Sequence, residues 1–97
     1  MRQKIYRLRV PDSVADLIRG LHPYLKKKIK SSSKIILSNP EEGKPLRDEL
    51  AGLKSFRVSR FRIVYRVRKN VVEIIAIGSR DRIYEETFSL LNKKSRD

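Results

Sequence analysis

The hydrophobic positions of this chain change period three times. Ile5, Tyr6, Leu8 and Val10, interleaved with Lys4, Arg7 and Arg9, read as a short strand that stops at Pro11. Val14, Leu17, Ile18 and Leu21 then fall at i, i+3, i+4 and i+7, which predicts a helix with one buried stripe and Asp12 or Ser13 as its cap. Proline disfavours helical geometry in the residue before it but suits a first helical turn, so His22-Pro23 ends this helix and opens another. The second helix is expected from Pro23 to about Ser38, with Leu25, Ile29 and Ile36 on one stripe and Lys26, Lys27, Lys28, Lys30 and Lys34 mostly outside it. Ser31-Ser32-Ser33 reads as a solvated patch on that helix. From Asn39 to Pro45 the residues have the turn chemistry of an exposed loop, and Leu46 to Leu53 reads as a helical turn ended by Gly52.

From Lys54 the period becomes two, and three strands follow at about 54 to 58, 61 to 68 and 71 to 78. Lys69-Asn70 is the expected turn of the second hairpin. That turn sets Arg68 opposite Val71, Val67 opposite Val72, Arg66 opposite Glu73, Tyr65 opposite Ile74 and Arg62 opposite Ile77, so the single acid of the last strand meets an arginine. One sheet face then carries Phe61, Ile63, Tyr65, Val67, Val72, Ile74 and Ala76 as a core for the helices. The other, mixed apolar and cationic, carries Arg62, Val64, Arg66, Arg68, Glu73, Ile75 and Ile77. Strict alternation would bury Arg80, so a bulge or bend at Gly78 is expected to turn it outward. Asp81 is the expected cap of a last helix packed through Ile83, Phe88 and Leu91, with Lys93 to Asp97 as a frayed tail. The predicted fold class is α+β: an N-terminal strand and a two-helix hairpin on an antiparallel sheet of about four strands, with a short C-terminal helix.

At 97 residues the chain predicts one domain, spanning 1–97, with a modest core. Its formal charge of +13, from 24 Lys and Arg against 11 Asp and Glu, opposes compaction and calls for a polyanionic partner, either nucleic acid or an acidic protein. No cysteine is present, so thiolate chemistry, disulfides and Cys-based metal sites are excluded. No stretch resembles a signal peptide or approaches ~18 apolar residues, which predicts a cytoplasmic protein without membrane attachment. His22, the only histidine, reads as a cap or surface residue, and the paired carboxylates resemble exposed positions; no metal or other cofactor is expected.

Between Lys54 and Arg68 there are six basic side chains and no acidic one. The planar guanidinium suits phosphate. Phosphodiester cleavage in RNA needs no metal when the ribose 2′-hydroxyl is the nucleophile, but it does need stabilisation of the charge on the phosphate and help with proton transfer. Arginine suits the first role and not the second, because it stays protonated.

Asn39-Pro40, Pro45-Leu46, Gly52-Leu53, Ser55-Phe56-Arg57-Val58, Arg62-Ile63-Val64-Tyr65 and Ile77-Gly78-Ser79-Arg80 through Ile83-Tyr84 fall in an order and spacing that resembles the RelE/ParE superfamily of type II toxin-antitoxin toxins. The resemblance covers roughly residues 4 to 91. It implies a small toxin neutralised by a cognate acidic antitoxin, monomeric alone and hetero-oligomeric with that partner. The superfamily includes ribosome-dependent mRNA interferases and gyrase poisons, and the RelE-like branch is favoured here. The alternatives are a ParE-like inhibitor of DNA gyrase and an inactive homologue that only binds RNA or antitoxin. Carried over residue by residue, the RelE-like site becomes Arg57, Arg62, Arg80 and Tyr84, with Lys54 as the nearest lysine on the same strand. Arg57 and Ser59 stand where that branch tends to have lysines. Arg47, Arg60, Lys26, Lys27 and Lys30 complete the expected RNA-binding set, and ribosome and mRNA are the expected partners.

Overall fold

In the computed structural model, which describes residues 5–95, the alternating segments form the middle of a five-stranded mixed sheet. Its strands are β1 (Arg7–Arg9), β2 (Lys44–Pro45), β3 (Lys54–Val58), β4 (Phe61–Arg68) and β5 (Val71–Ser79), in the order β1-β5-β4-β3-β2. The helices are α1 (Asp12–Arg19), α2 (Pro23–Ser38) and α3 (Ile83–Ser95). Four expected strands become five because Lys44 and Pro45 pair with Ser55 and Lys54 along the β3 edge. The sheet is mixed because β1 runs parallel to β5, the helical hairpin carrying the chain across the sheet face between them.

The hairpin of β4 and β5 has the expected register from Arg68↔Val71 to Tyr65↔Ile74 and then departs from it. An irregularity between Val64 and Tyr65 sets Val64 opposite Ala76 and Arg62 opposite Gly78, leaving Ile75 as the extra residue. The bulge therefore lies in mid-strand and not at Gly78. Its consequence is an exchange of faces: Ile77 joins the core under α1 and α2, and Ala76 turns to the opposite side.

Both faces are covered. Val14 of α1 and Ile29 and Ile36 of α2 pack on Val58, Ile63, Tyr65, Val72, Ile74 and Ile77. On the reverse, Ile83 of α3 packs on Leu53, Val64 and Ala76, with Leu46, Leu50, Ile75 and Leu91 around them. What reads as a mixed apolar and cationic face is thus a second small core beside a cationic margin. Gly78 allows this, since a Cβ there would stand 2.9 Å from Ile83 Cδ1. Phe88 is exposed, and Thr87 takes the buried position next to it, its hydroxyl donating to the Ile83 carbonyl at 2.7 Å. Asp81 stays in the turn before α3, and the Arg82 carbonyl accepts the Glu86 N–H at 3.0 Å. The helix continues through Lys93 to Ser95, where a frayed tail was expected; Arg96 and Asp97, like Lys4 of the first predicted strand, lie outside the described residues.

Helix α2 has the expected limits. His22 caps it, Nδ1 accepting the Tyr24 N–H at 3.1 Å. Helix α1 starts after Pro11 with no side-chain cap bond, because Asp12 already belongs to its first turn. Leu17 is exposed, on the margin of a stripe whose inner members are Val14 and Ile18. Ser32 is buried against the sheet side of α2, so the serine triplet is not uniformly solvated. The loop after α2 is also less exposed than its composition predicts, because Tyr65, fully buried, donates its hydroxyl to the Pro40 carbonyl at 2.7 Å and accepts the Gly43 N–H at 2.9 Å. Burial, opposed in part by the Gly43 hydrogen bond, raises the Tyr65 pKa above its ordinary value, with Glu41 and Glu42 adding to the rise. Among the described residues no helix is long and apolar enough to cross a membrane.

Candidate functional site

The tight turn Ser59-Arg60 joins β3 to β4 and sets Arg57 directly opposite Arg62. Ser59 takes a positive φ of 58°, which closes the turn. Two like charges facing each other across strands repel. The side chains relieve this by leaning apart: Arg57 Nε reaches back to the Ser59 carbonyl at 3.5 Å, while Arg62 donates from a terminal nitrogen to Ser55 Oγ at 3.1 Å. Ser55 is 2 % exposed and also accepts the Tyr84 hydroxyl at 3.4 Å. A buried serine on β3 therefore joins an arginine of β4 to a tyrosine at the start of α3.

Arg80 follows β5 and keeps its place by donating its backbone N–H to the Arg60 carbonyl at 2.9 Å. Its exposed position thus comes from continued strand pairing. Arg57, Ser59, Arg60, Ser79, Arg80 and Asp81 line an open cavity of about 320 Å³. Of the arginines 57, 60, 62 and 80, none forms an ion pair with an acid among the described residues. Tyr84 lines a separate, wider cleft of about 750 Å³ together with Lys44, Pro45, Leu46, Arg47, Asp48 and Leu50. Arg47 precedes a 3₁₀ turn at Asp48–Leu50 and is exposed.

The geometry gathers Arg57, Arg60 and Arg80 around one cavity, ties Arg62 to Tyr84 through Ser55, and brings Arg47 beside Tyr84. It does not gather Lys54. Strand alternation puts Lys54 on the face of Phe56 and Val58, where Nζ pairs with Glu41 at 3.4 Å, away from Ser55 and Arg57. The lysines of α2 divide in the same way. Lys26 and Lys30 border an apolar groove with Leu8, Val10 and Ile18, whereas Lys27 shares a cavity with Arg57. Sequence reasoning missed Ser55 as the hub, although its inward position follows from alternation with Lys54 and Phe56. It also missed Tyr24, an exposed aromatic beside Lys27.

Such an arrangement can grip a phosphodiester: guanidinium groups without an ion pair among the described residues, on β3, on β4 and in the turns beside them, one of them joined through a serine hydroxyl to a phenol. Among the described residues no group of three or more His, Asp or Glu is placed to hold a metal ion.

The family model described as "ParE toxin of type II toxin-antitoxin system, parDE" matches residues 9–84. No curated protein gives a significant match. Among solved structures, the chain is similar to the toxin-antitoxin complex RelBE2 from Mycobacterium tuberculosis, at 28 % identity and a TM-score of 0.70, covering 77 % of this chain and 98 % of the other. It is also similar to an Escherichia coli RelE with two arginine-to-alanine substitutions in its free state, at 25 % identity and a TM-score of 0.73, covering 93 % and 97 %. Likeness to the archaeal RelE-RelB complex of Pyrococcus horikoshii, at 21 % identity and a TM-score of 0.67 over 80 % and 98 %, is one of fold alone.

Proposed function

The chain belongs to the ParE toxin family of type II toxin-antitoxin systems, within the RelE/ParE superfamily, and from that premise we propose that it is a ribosome-dependent mRNA endoribonuclease of the RelE kind, acting without a metal. The observation that carries this reading is that Arg57, Arg60 and Arg80, without an ion pair among the described residues, line one cavity, while Arg62, opposite Arg57, is linked through Ser55 to Tyr84. Arg62 and Arg80 stabilise charge on the scissile phosphate, Arg57 and Arg60 bind the neighbouring backbone, and Tyr84 orients the 2′-hydroxyl or stacks on a base, with Arg47 holding the strand beyond it. Proton abstraction does not fall to Lys54, which faces the other way; the lysine beside Tyr84 is Lys44. The similar RelE structures and the +13 charge support the same reading.

The partner proposed with it is an acidic antitoxin. The similar Mycobacterium tuberculosis structure is a toxin-antitoxin complex, and a strongly cationic toxin is discharged by an acidic chain. The whole chain then acts as one toxin domain in the cytoplasm, where mRNA and ribosomes are.

One observation favours a second reading: the matching family model carries the ParE name. On that reading the basic surface docks to DNA gyrase and cuts no RNA. The separating experiment expresses wild type, Arg62→Ala and Arg80→Ala and maps mRNA 5′ ends, with a supercoiling assay in parallel. Loss of one charge-stabilising donor is expected to slow cleavage about 10²–10³-fold. Growth arrest with intact messages and trapped gyrase complexes would transfer the assignment to the second reading.

A further inference from the structure

The lysine run of α2 hides a stripe of different character. Tyr24, Lys27, Lys28 and Ser31 recur at i, i+3, i+4 and i+7, so they share one helix face, and that face looks toward the turn between β3 and β4. With Arg57, Val58 and Ser59 they line an open cavity of about 420 Å³. Tyr24 is 60 % exposed, contributes nothing to either core, and has Lys28 Nζ over its ring, 4.7 Å from the centroid. Its backbone is fixed by the His22 cap, so the ring projects from a rigid first helical turn. Arg57 lines this cavity and also the one that holds Arg60 and Arg80, and so forms the wall between them.

An exposed aromatic ring among cations that form no ion pair among the described residues is the arrangement by which proteins hold single-stranded nucleic acid, bases stacking on the ring while the backbone follows the charge. An acidic peptide would satisfy the lysines but has no use for a flat ring continuous with a phosphate site. We infer that Tyr24 is the stacking platform of a second nucleotide subsite, that Lys27 and Lys28 take the adjoining phosphate, and that single-stranded RNA runs from the Arg57–Arg80 cavity over Ser59 onto α2. This rests on the reading of the arginine site as an RNA site and adds a binding position one nucleotide or more from the scissile linkage. Because every base has a π face, the subsite contributes affinity and strand direction with little sequence preference.

The test uses the full chain and a fluorescein-labelled, fully 2′-O-methylated oligoadenylate, which cannot be cut by its own 2′-oxygen. Tyr24→Ala is expected to weaken binding about 10-fold, with an unchanged melting curve because the side chain is exposed. Tyr24→Phe keeps the ring and is expected to bind within about 2-fold of wild type, since stacking needs the π face and not the hydroxyl. Lys27→Ala should flatten the salt dependence of log K by about 0.7, one phosphate contact. Wild-type affinity in Tyr24→Ala alongside weakened Arg62→Ala overturns the inference, as does a Tyr24→Phe as weak as Tyr24→Ala. It is equally overturned if Tyr24→Ala loses only antitoxin affinity. Failure of the nuclease reading looks different: Tyr24-dependent binding with no cleavage of mRNA keeps this subsite and removes the catalytic assignment.

Discussion

Tyr65→Phe removes one oxygen atom from the interior and two hydrogen bonds with it. The ring is fully buried and is retained, so the packing of the larger core is nearly conserved. What changes is that the Pro40 carbonyl and the Gly43 N–H, both on buried residues, lose their partner. A buried backbone group left without a partner costs about 1–3 kcal/mol. Two such groups set the expected loss at about 2–6 kcal/mol, out of about 5–15 for a domain. That corresponds to a fall in Tm of at least ~10 °C in a chain of this length. Urea unfolding followed by circular dichroism measures it, with a lower midpoint at unchanged slope. The raised pKa supplies an independent check. A phenol whose folded pKa lies above its unfolded 10.0 gives stability that is complete below pH 10 and is lost as pH rises through the folded value. The wild type's advantage over Tyr65→Phe must therefore shrink in strongly alkaline solution, while titrating lysines affect both proteins alike. A loss below about 0.5 kcal/mol, or an advantage that does not change from about pH 9 to 11, would refute the reasoning.

Two further outcomes are expected. In Gly78→Ala the new methyl meets Ile83 Cδ1 at 2.9 Å, and because Ile83 is fully buried its side chain must repack within the smaller core; the cost is about 1–3 kcal/mol, visible as faster amide exchange in α3 with β4 and β5 still protected. Lys54→Met removes the pair with Glu41 but keeps the aliphatic stem, so stability changes by less than about 1 kcal/mol and mRNA cleavage by less than about 2-fold; a hundredfold loss of cleavage would mean that Lys54 turns toward Arg57 when substrate is bound.

Much of this fold is legible in the order of residues. The limits of α2, β3 and β4 follow from patterns in which each polar position has a reason, and β5 differs by a single residue at its end. The face exchange in β5 is harder to see. Ile74, Ile75, Ala76 and Ile77 are four apolar residues in a row, and such a run fits either a strand covered on both faces or a bulge; here it is both. The burial of Pro40 and Gly43 is invisible for another reason: it depends on a hydroxyl more than twenty residues away, and local turn chemistry carries no trace of it. At the site, the arginines were visible by charge. Ser55 was not, because a small hydroxyl between Lys54 and Phe56 acquires meaning only when β4 and α3 bring Arg62 and Tyr84 to it.

The two ends of the sheet treat their arginines differently. At the hairpin end Glu73 takes Arg66 at 2.6 Å and Arg9 at 3.5 Å, so the cations there are discharged by the protein itself. Four residues back along β4, Arg62 receives only a serine hydroxyl, and Arg57 opposite it only a carbonyl. Like charges directly opposed across strands cost up to about 1 kcal/mol, and one acid at either position would remove that cost. The fold instead holds the two guanidinium groups apart and leaves Asp81 as the sole acid lining the Arg57–Arg80 cavity. Preorganised charge stabilises an anion well only if it is not already spent on an internal partner. Arg57, Arg62 and Arg80 meet that condition and Arg66 does not. On the proposed reading, a phosphate in the sheet's grip therefore belongs at the turn between β3 and β4 and not at the hairpin of β4 and β5.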